Sequence, residues 1–158
     1  IDNGLEMIQV REKDISFEEF KKFSKEVIKI CKPQGVKVII NSYINLAHEL
    51  RADGVHLTSK DLHSIKKIPQ NLIVSASCHN QKDIDIAEKI KIHFIVLSTV
   101  KKTLSHPDMK PMGWNKFQKI VNKVNIPIYA LGGLGIEDYQ IALENGAIGI
   151  ASQRLIWK

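Results

Sequence analysis

The sequence predicts an α/β fold, a (β/α)8 TIM barrel lacking strand 1 and most of helix 1. Three observations predict it. Short apolar runs alternate with amphipathic helical segments along all 158 residues, which means a parallel sheet with right-handed crossovers. The runs are almost continuously apolar, as strands covered on both faces must be. Late in the chain two glycine-marked strand ends lie close together, at Leu131-Gly132-Gly133-Leu134-Gly135 and Gly149-Ile150-Ala151-Ser152-Gln153-Arg154. A barrel of this class builds its phosphate site there. The strand candidates number seven, and on that count alone an open doubly wound sheet stays as an alternative.

The elements follow in order. Residues 7–10 form the first strand. The helix over residues 17–31 carries Phe20, Phe23, Val27 and Ile30 at helical spacing. A strand at 37–40 leads to a helix at 44–50. Asp53-Gly54 marks the turn into a strand at 54–57. A strand at 72–75, a helix at 83–89 and a strand at 94–97 follow. The connection 98–112 is about fifteen residues long, beyond the usual loop, and reads as an active-site lid or as a disordered insertion. A helix at 114–123, a strand at 128–130, a helix at 137–144 and a strand at 148–150 complete the series.

Length allows one domain, residues 1–158, with a real core. The net charge of +6 comes mainly from lysines spread along helical segments, as in Lys21-Lys22, Lys66-Lys67 and Lys101-Lys102. That describes a solvated surface rather than a nucleic-acid-binding run. No apolar stretch approaches the roughly 20 residues a membrane span needs, and no secretory signal opens the chain. Cys31 and Cys78 make neither a CxxC pair nor a disulfide framework, which fits a reducing, cytoplasmic setting. Ile1-Asp2-Asn3-Gly4 reads as the tail of an earlier helix, with Gly4 as its stop. Preceding residues are therefore expected to supply strand 1 and helix 1. Without them, the exposed edges beside the first and last strands favour a homo-oligomer.

Gln9, Arg11 and Lys13 alternate at and beyond the first strand's end, so they point to one side together. Two cations and an amide there suit a diphosphate; an Arg11–Glu12 ion pair is the equal alternative. Asn41 ends the next strand, and Asp61 lies just past the third. Such groups can hold Mg²⁺ with phosphate oxygens, or Asp61 can simply cap a helix. Ser75-Ala76-Ser77-Cys78-His79-Asn80 brings hydroxyls, a thiol and an imidazole to a strand end. Neighbouring side chains point apart, which argues against a Cys78–His79 dyad. The six histidines show no HExxH spacing, and His48, His63 and His93 read as surface or structural. Gly132 and Gly133, between a strand and a helix, suit a phosphate or an ordinary turn.

Gln9-Val10-Arg11-Glu12-Lys13-Asp14 resembles the QxREK motif of thiamine-phosphate synthases and their TenI-type relatives. Ala52-Asp53-Gly54-Val55-His56-Leu57-Thr58-Ser59-Lys60-Asp61 resembles their ADGVHLxxxD segment, and Leu131-Gly132-Gly133-Leu134 their GGI turn. The likeness runs nearly the whole chain. It is nearest to the synthase-like domain fused behind a Nudix (MutT-type) hydrolase in some bacteria, which implies such a domain as an N-terminal partner. The resemblance implies a barrel that joins a pyrimidine diphosphate to a thiazole phosphate and releases pyrophosphate with Mg²⁺. It implies that Gln9, Arg11, Lys13 and Asn41 grip the diphosphate, with Ser77 as a further contact and Asp61 as a metal ligand. Arg11, Lys13 and Ser77 are the catalytic candidates. Gly132 and Gly133 would hold the thiazole phosphate. Three positions depart from the pattern. Ser42 stands where the family has a second metal carboxylate, His106 falls near its lid lysine, and Arg154 replaces a small residue by the last phosphate loop. Thr99 stands where the TenI-type tautomerases carry a histidine. A phosphate-binding or regulatory domain without catalysis is the alternative.

Overall fold

The computed structural model describes residues 5–103 and 108–153. Seven parallel strands form a single sheet: β1 (Met7–Val10), β2 (Lys37–Asn41), β3 (Gly54–Leu57), β4 (Ile73–Cys78), β5 (Phe94–Ser98), β6 (Ile128–Leu131) and β7 (Gly149–Ala151). Spatial order equals sequence order, so each strand pairs with the next. Six α-helices lie between them: α1 (Phe17–Cys31), α2 (Ile44–Glu49), α3 (Ser59–Ser64), α4 (Gln81–Lys89), α5 (Gly113–Val121) and α6 (Tyr139–Glu144).

The sheet curls. In a flat sheet β1 and β6 would stand five strand spacings apart, about 24 Å. Here Leu5, Glu6 and Met7 line one cavity of about 450 Å³ together with Gly35, Lys37 and Tyr129. Residues at the start of β1 and a β6 side chain can meet only across the inside of a curved sheet. This is a partial barrel, with β1 and β7 as its edges among the described residues.

Alternation along each strand sorts side chains to two faces. Val38, Ile40, Val55, Leu57, Val74, Ala76, Ile95, Leu97, Ile128 and Ala130 turn outward into one apolar cluster with the helices. Cys78 belongs to that outer layer too. Their neighbours turn inward. At the amino end of the strands the inner face is apolar, with Ile39 and Val96 buried and Phe94 edge-on to Tyr129 at 5.1 Å. At the carboxyl end it is polar: Gln9, Asn41, His56, Ser75, Ser77 and Ser98.

Helix α1 begins at a capping box, with Ser16 accepting from the Glu19 N–H and Glu19 reaching back to Ser16. Its buried stripe differs from the expected one. Phe20, Ser24 and Cys31 are buried, while Phe23 and Ile30 are 46% and 57% exposed. Steps of four and seven residues keep the stripe facing the sheet; the Ser24 hydroxyl fits there by donating to the Phe20 carbonyl. Helix α3 was not expected. Thr58 and Asp61 make a second capping box that starts it. Among the described residues no helix is long and apolar enough to cross a membrane.

Candidate functional site

The carboxyl ends of β1 to β4 hold a connected set of polar groups. Parallel register brings Asn41 level with His56, and His56 level with Ser75. Gln9 Nε2 donates to Asn41 Oδ1 at 2.8 Å. Asn41 Nδ2 donates to Ser42 Oγ at 3.0 Å, and Ser42 Oγ donates to Asp61 Oδ2 at 2.7 Å. Thr58 adds its hydroxyl at 2.7 Å and its N–H at 3.1 Å to the same oxygen. Ser42 adopts φ +64°, a left-handed conformation uncommon for serine. It turns the hydroxyl from the strand toward Asp61.

Burial raises the Asp61 carboxyl's pKa. Hydrogen bonds from Thr58 and Ser42, with the Lys60 charge, outweigh this and hold it below the usual carboxylate value. Among the described residues the hydrogen bonds drawn by Asp61 all land on Oδ2, which leaves Oδ1 for another partner. No cluster of three or more His, Cys, Asp or Glu side chains suited to a metal occurs among the described residues.

Beside this set, His56 lies between two serines. Nδ1 is 2.8 Å from Ser75 Oγ and Nε2 is 2.8 Å from Ser77 Oγ. Burial, and then the Arg11 charge, press the imidazole's pKa down to about 4, against a smaller opposing pull from Asp61. Arg11 and Lys13 are exposed just beyond β1, and Arg11 stands near enough to act on His56. Ion pairs among the described residues fall elsewhere, at Lys21–Glu49, Lys32–Asp53, His63–Asp83 and Lys101–Asp138.

The far side of the rim is built from backbone. Gly132 and Gly133 have φ +110° and +65°. A Cβ on Gly132 would stand 2.6 Å from Thr99 Cγ2, and one on Gly133 2.3 Å from the Lys102 carbonyl oxygen. Only glycine tolerates both the angle and the contact. The loop after β5 causes the crowding: the Val100 and Lys101 N–H groups donate to the carbonyls of Leu131 and Gly132. Lys101 also binds the buried Asp138 carboxylate, which accepts from the Gly135 N–H.

The sequence-derived candidates thus occupy two places. Gln9, Asn41, Asp61 and Ser77 come together with Arg11 near them, and Lys13 lies two residues further on. Gly132 and Gly133 form the second place. His106, Arg154 and Gly4 lie outside the described residues. Cys78 and His79 are parted as expected: the thiol faces the outer core and burial pushes it up to about 12, while the exposed His79 meets Ser98 Oγ at 3.0 Å. Sequence reasoning named the Ser75 hydroxyl only as part of its segment and gave His56 no role in the site. Their signal was polarity at inward positions of otherwise apolar strands.

Residues 1–156 match the family model described as thiamine monophosphate synthase. The chain belongs to that family. It is 39% identical over 150 residues to a protein of Aquifex aeolicus (strain VF5) provisionally named thiamine-phosphate synthase 2, covering 94% of this chain and 81% of that one. It is 32% identical to the thiamine-phosphate synthase of Coprothermobacter proteolyticus over 154 residues, 96% of this chain and 73% of that one. The solved thiamine phosphate pyrophosphorylase from Pyrococcus furiosus superposes with a TM-score of 0.80 at 27% identity, covering 94% of this chain and 72% of that one. A 3-hexulose-6-phosphate synthase, at 13% identity and a TM-score of 0.64, shares the fold alone. Thiamine monophosphate synthase membership and the curled parallel sheet agree: this is a TIM-barrel-like architecture with its polar rim at the strands' carboxyl ends.

Proposed function

We propose that this chain is a transferase of the thiamine-phosphate synthase type, joining a pyrimidine diphosphate to a thiazole phosphate with release of pyrophosphate. The observation that carries the reading is the chain of hydrogen bonds Gln9–Asn41–Ser42–Asp61 across three neighbouring strand ends, with Ser77 on the fourth. Four sequence-distant segments converge there, and Arg11 and Lys13 add two cations.

Arg11 and Lys13 neutralise the diphosphate as its bond to the carbon that carries it breaks and the electron pair leaves with it, while an electron pair of the thiazole ring nitrogen forms the new bond to that carbon. Cations at that point stabilise the developing charge. Gln9, Asn41 and Ser77 orient the phosphate oxygens. The Gly132–Gly133 turn lets the second phosphate approach the backbone. Mg²⁺ fits the donors present. It commonly takes one or two carboxylates plus phosphate oxygens and water, and Asp61 can offer Oδ1. When bound, the ion supplies further charge to the leaving diphosphate. Ser42 contributes to that carboxylate's position.

The test titrates the protein with pyrimidine diphosphate, with and without Mg²⁺, then adds thiazole phosphate and measures pyrophosphate released. Mutual strengthening of metal and diphosphate binding, followed by release, is expected. Binding without any release returns the chain to a ligand-binding role.

A further inference from the structure

A neutral imidazole carries one N–H and one bare nitrogen, whereas each serine hydroxyl can donate or accept. Of the two serines on His56, one must therefore give a proton to the ring and the other receive one. They are not equivalent. Ser75 is 1% exposed, and the partner its Oγ finds among the described residues is the ring. Ser77 is half-buried and lies at the rim. Were Ser75 to accept from Nδ1, its own proton would be sealed in with nothing to receive it, a costly arrangement. Ser75 therefore donates to Nδ1, and the ring proton resides on Nε2. Nε2 in turn donates to Ser77 Oγ, which leaves the Ser77 hydroxyl proton unspent. A cationic ring would break this sequence by donating at both nitrogens. Burial and the neighbouring Arg11 keep the ring neutral near pH 7.

We propose that Ser75 and His56 are positioning residues that hold the Ser77 hydroxyl as a hydrogen-bond donor toward an anionic oxygen at the rim. This rests on the diphosphate reading above and adds a reason for its selectivity. A free hydroxyl receives donors and acceptors alike. One that already accepts from Nε2–H and still has its own proton to place favours acceptors, and phosphate oxygens are strong ones. No proton is transferred; the device sets direction only.

Two measurements test it. In the nitrogen-15 spectrum of the labelled, unaltered protein, His56 should show a protonated Nε2 and a bare Nδ1 near neutral pH. Protonation at Nδ1 overturns the inference. The second is a double-mutant cycle read with inorganic pyrophosphate as the probe. Ser77→Ala should weaken binding about tenfold. Ser75→Ala should weaken it about threefold or more when Ser77 is present, and not at all in the Ser77→Ala background, because the two act as one unit. An equal loss in both backgrounds, or no loss in either, overturns it. If the unaltered protein binds no pyrophosphate, the diphosphate reading fails by itself. The nitrogen spectrum then decides the hydroxyl's direction alone.

Discussion

The two sides of the rim are built by different means. From β1 to β4 the working groups are side chains, each fixed by another: Gln9 by Asn41, Ser42 by Asp61, Ser77 by His56. From β5 to β7 the main feature is bare backbone, held by the loop laid across Gly132 and Gly133. On the first side each hydrogen bond is a separate contact. On the backbone side, the space a Cβ would take at Gly132 or Gly133 is already filled. A side-chain site is therefore expected to fail gradually, and a backbone site all at once.

The largest effect should come from the backbone side. Gly133→Asp places a Cβ where the Lys102 oxygen already stands, 2.3 Å away, so the loop after β5 must shift. It also adds a like charge. Inorganic phosphate binding at that turn should vanish while pyrophosphate binding at the β1–β4 side persists. Loss of both would break the distinction.

Next is the buried ring. His56 has a folded pKa of about 4 against 6.5 for the free side chain, so the unfolded chain binds more protons between those values. Its contribution is whole above pH 6.5 and declines as pH falls toward 4, by about 3 kcal/mol in all. Urea unfolding across that range should show the slope, and His56→Gln should flatten it. Asp61 and Asp83, held below 3.8, add losses only at lower pH.

Arg11→Ala removes one cation from a shared grip. Turnover should fall at least tenfold, about 1.4 kcal/mol of barrier, with phosphate binding at Gly132–Gly133 unchanged. A turnover equal to that of the unaltered protein would remove Arg11 from the reaction.

The smallest effect is a gain. Aspartate tolerates the left-handed conformation of Ser42, so Ser42→Asp should fit. Without Mg²⁺ the new carboxylate faces Asp61 and should raise the pKa of the pair. With Mg²⁺ the two should bind the ion more tightly and raise turnover. Unchanged metal affinity would separate Ser42 from the metal.

The fold was legible because its signal is local. Continuous apolar runs and 3.6-residue periodicity reflect burial, and each strand needs only the next one. Gln9, Asn41, Ser77 and the two glycines were legible because they sit at strand ends in a recognisable order. Helix α3 was half legible: Asp61 offered a helix cap as the alternative to a metal ligand, but nothing in the short segment after it marked a helix, and the Thr58–Asp61 capping box starts one there. The expected stripe on α1 erred because an apolar count favours Phe23 and Ile30 over Ser24, whereas direction around the helix decides burial. The pairing of His56 with Ser75 and Ser77 was not legible, because it runs across strands, which no spacing within one segment reveals.

The order of the sheet bears on how the protein opens. Each strand is paired with its neighbour in sequence, so every closure spans one strand–helix unit and none must await a distant partner. Structure of that kind yields from its margins. Amide hydrogen exchange should be slowest in β3 and β5, whose residues are all buried, and quicker in β1 and β7, which have one neighbour each among the described strands. Asn41, His56, Ser75 and Ser77 lie on β2 to β4, toward the slow interior, so local opening should expose the Gly149–Ala151 edge long before it disturbs them.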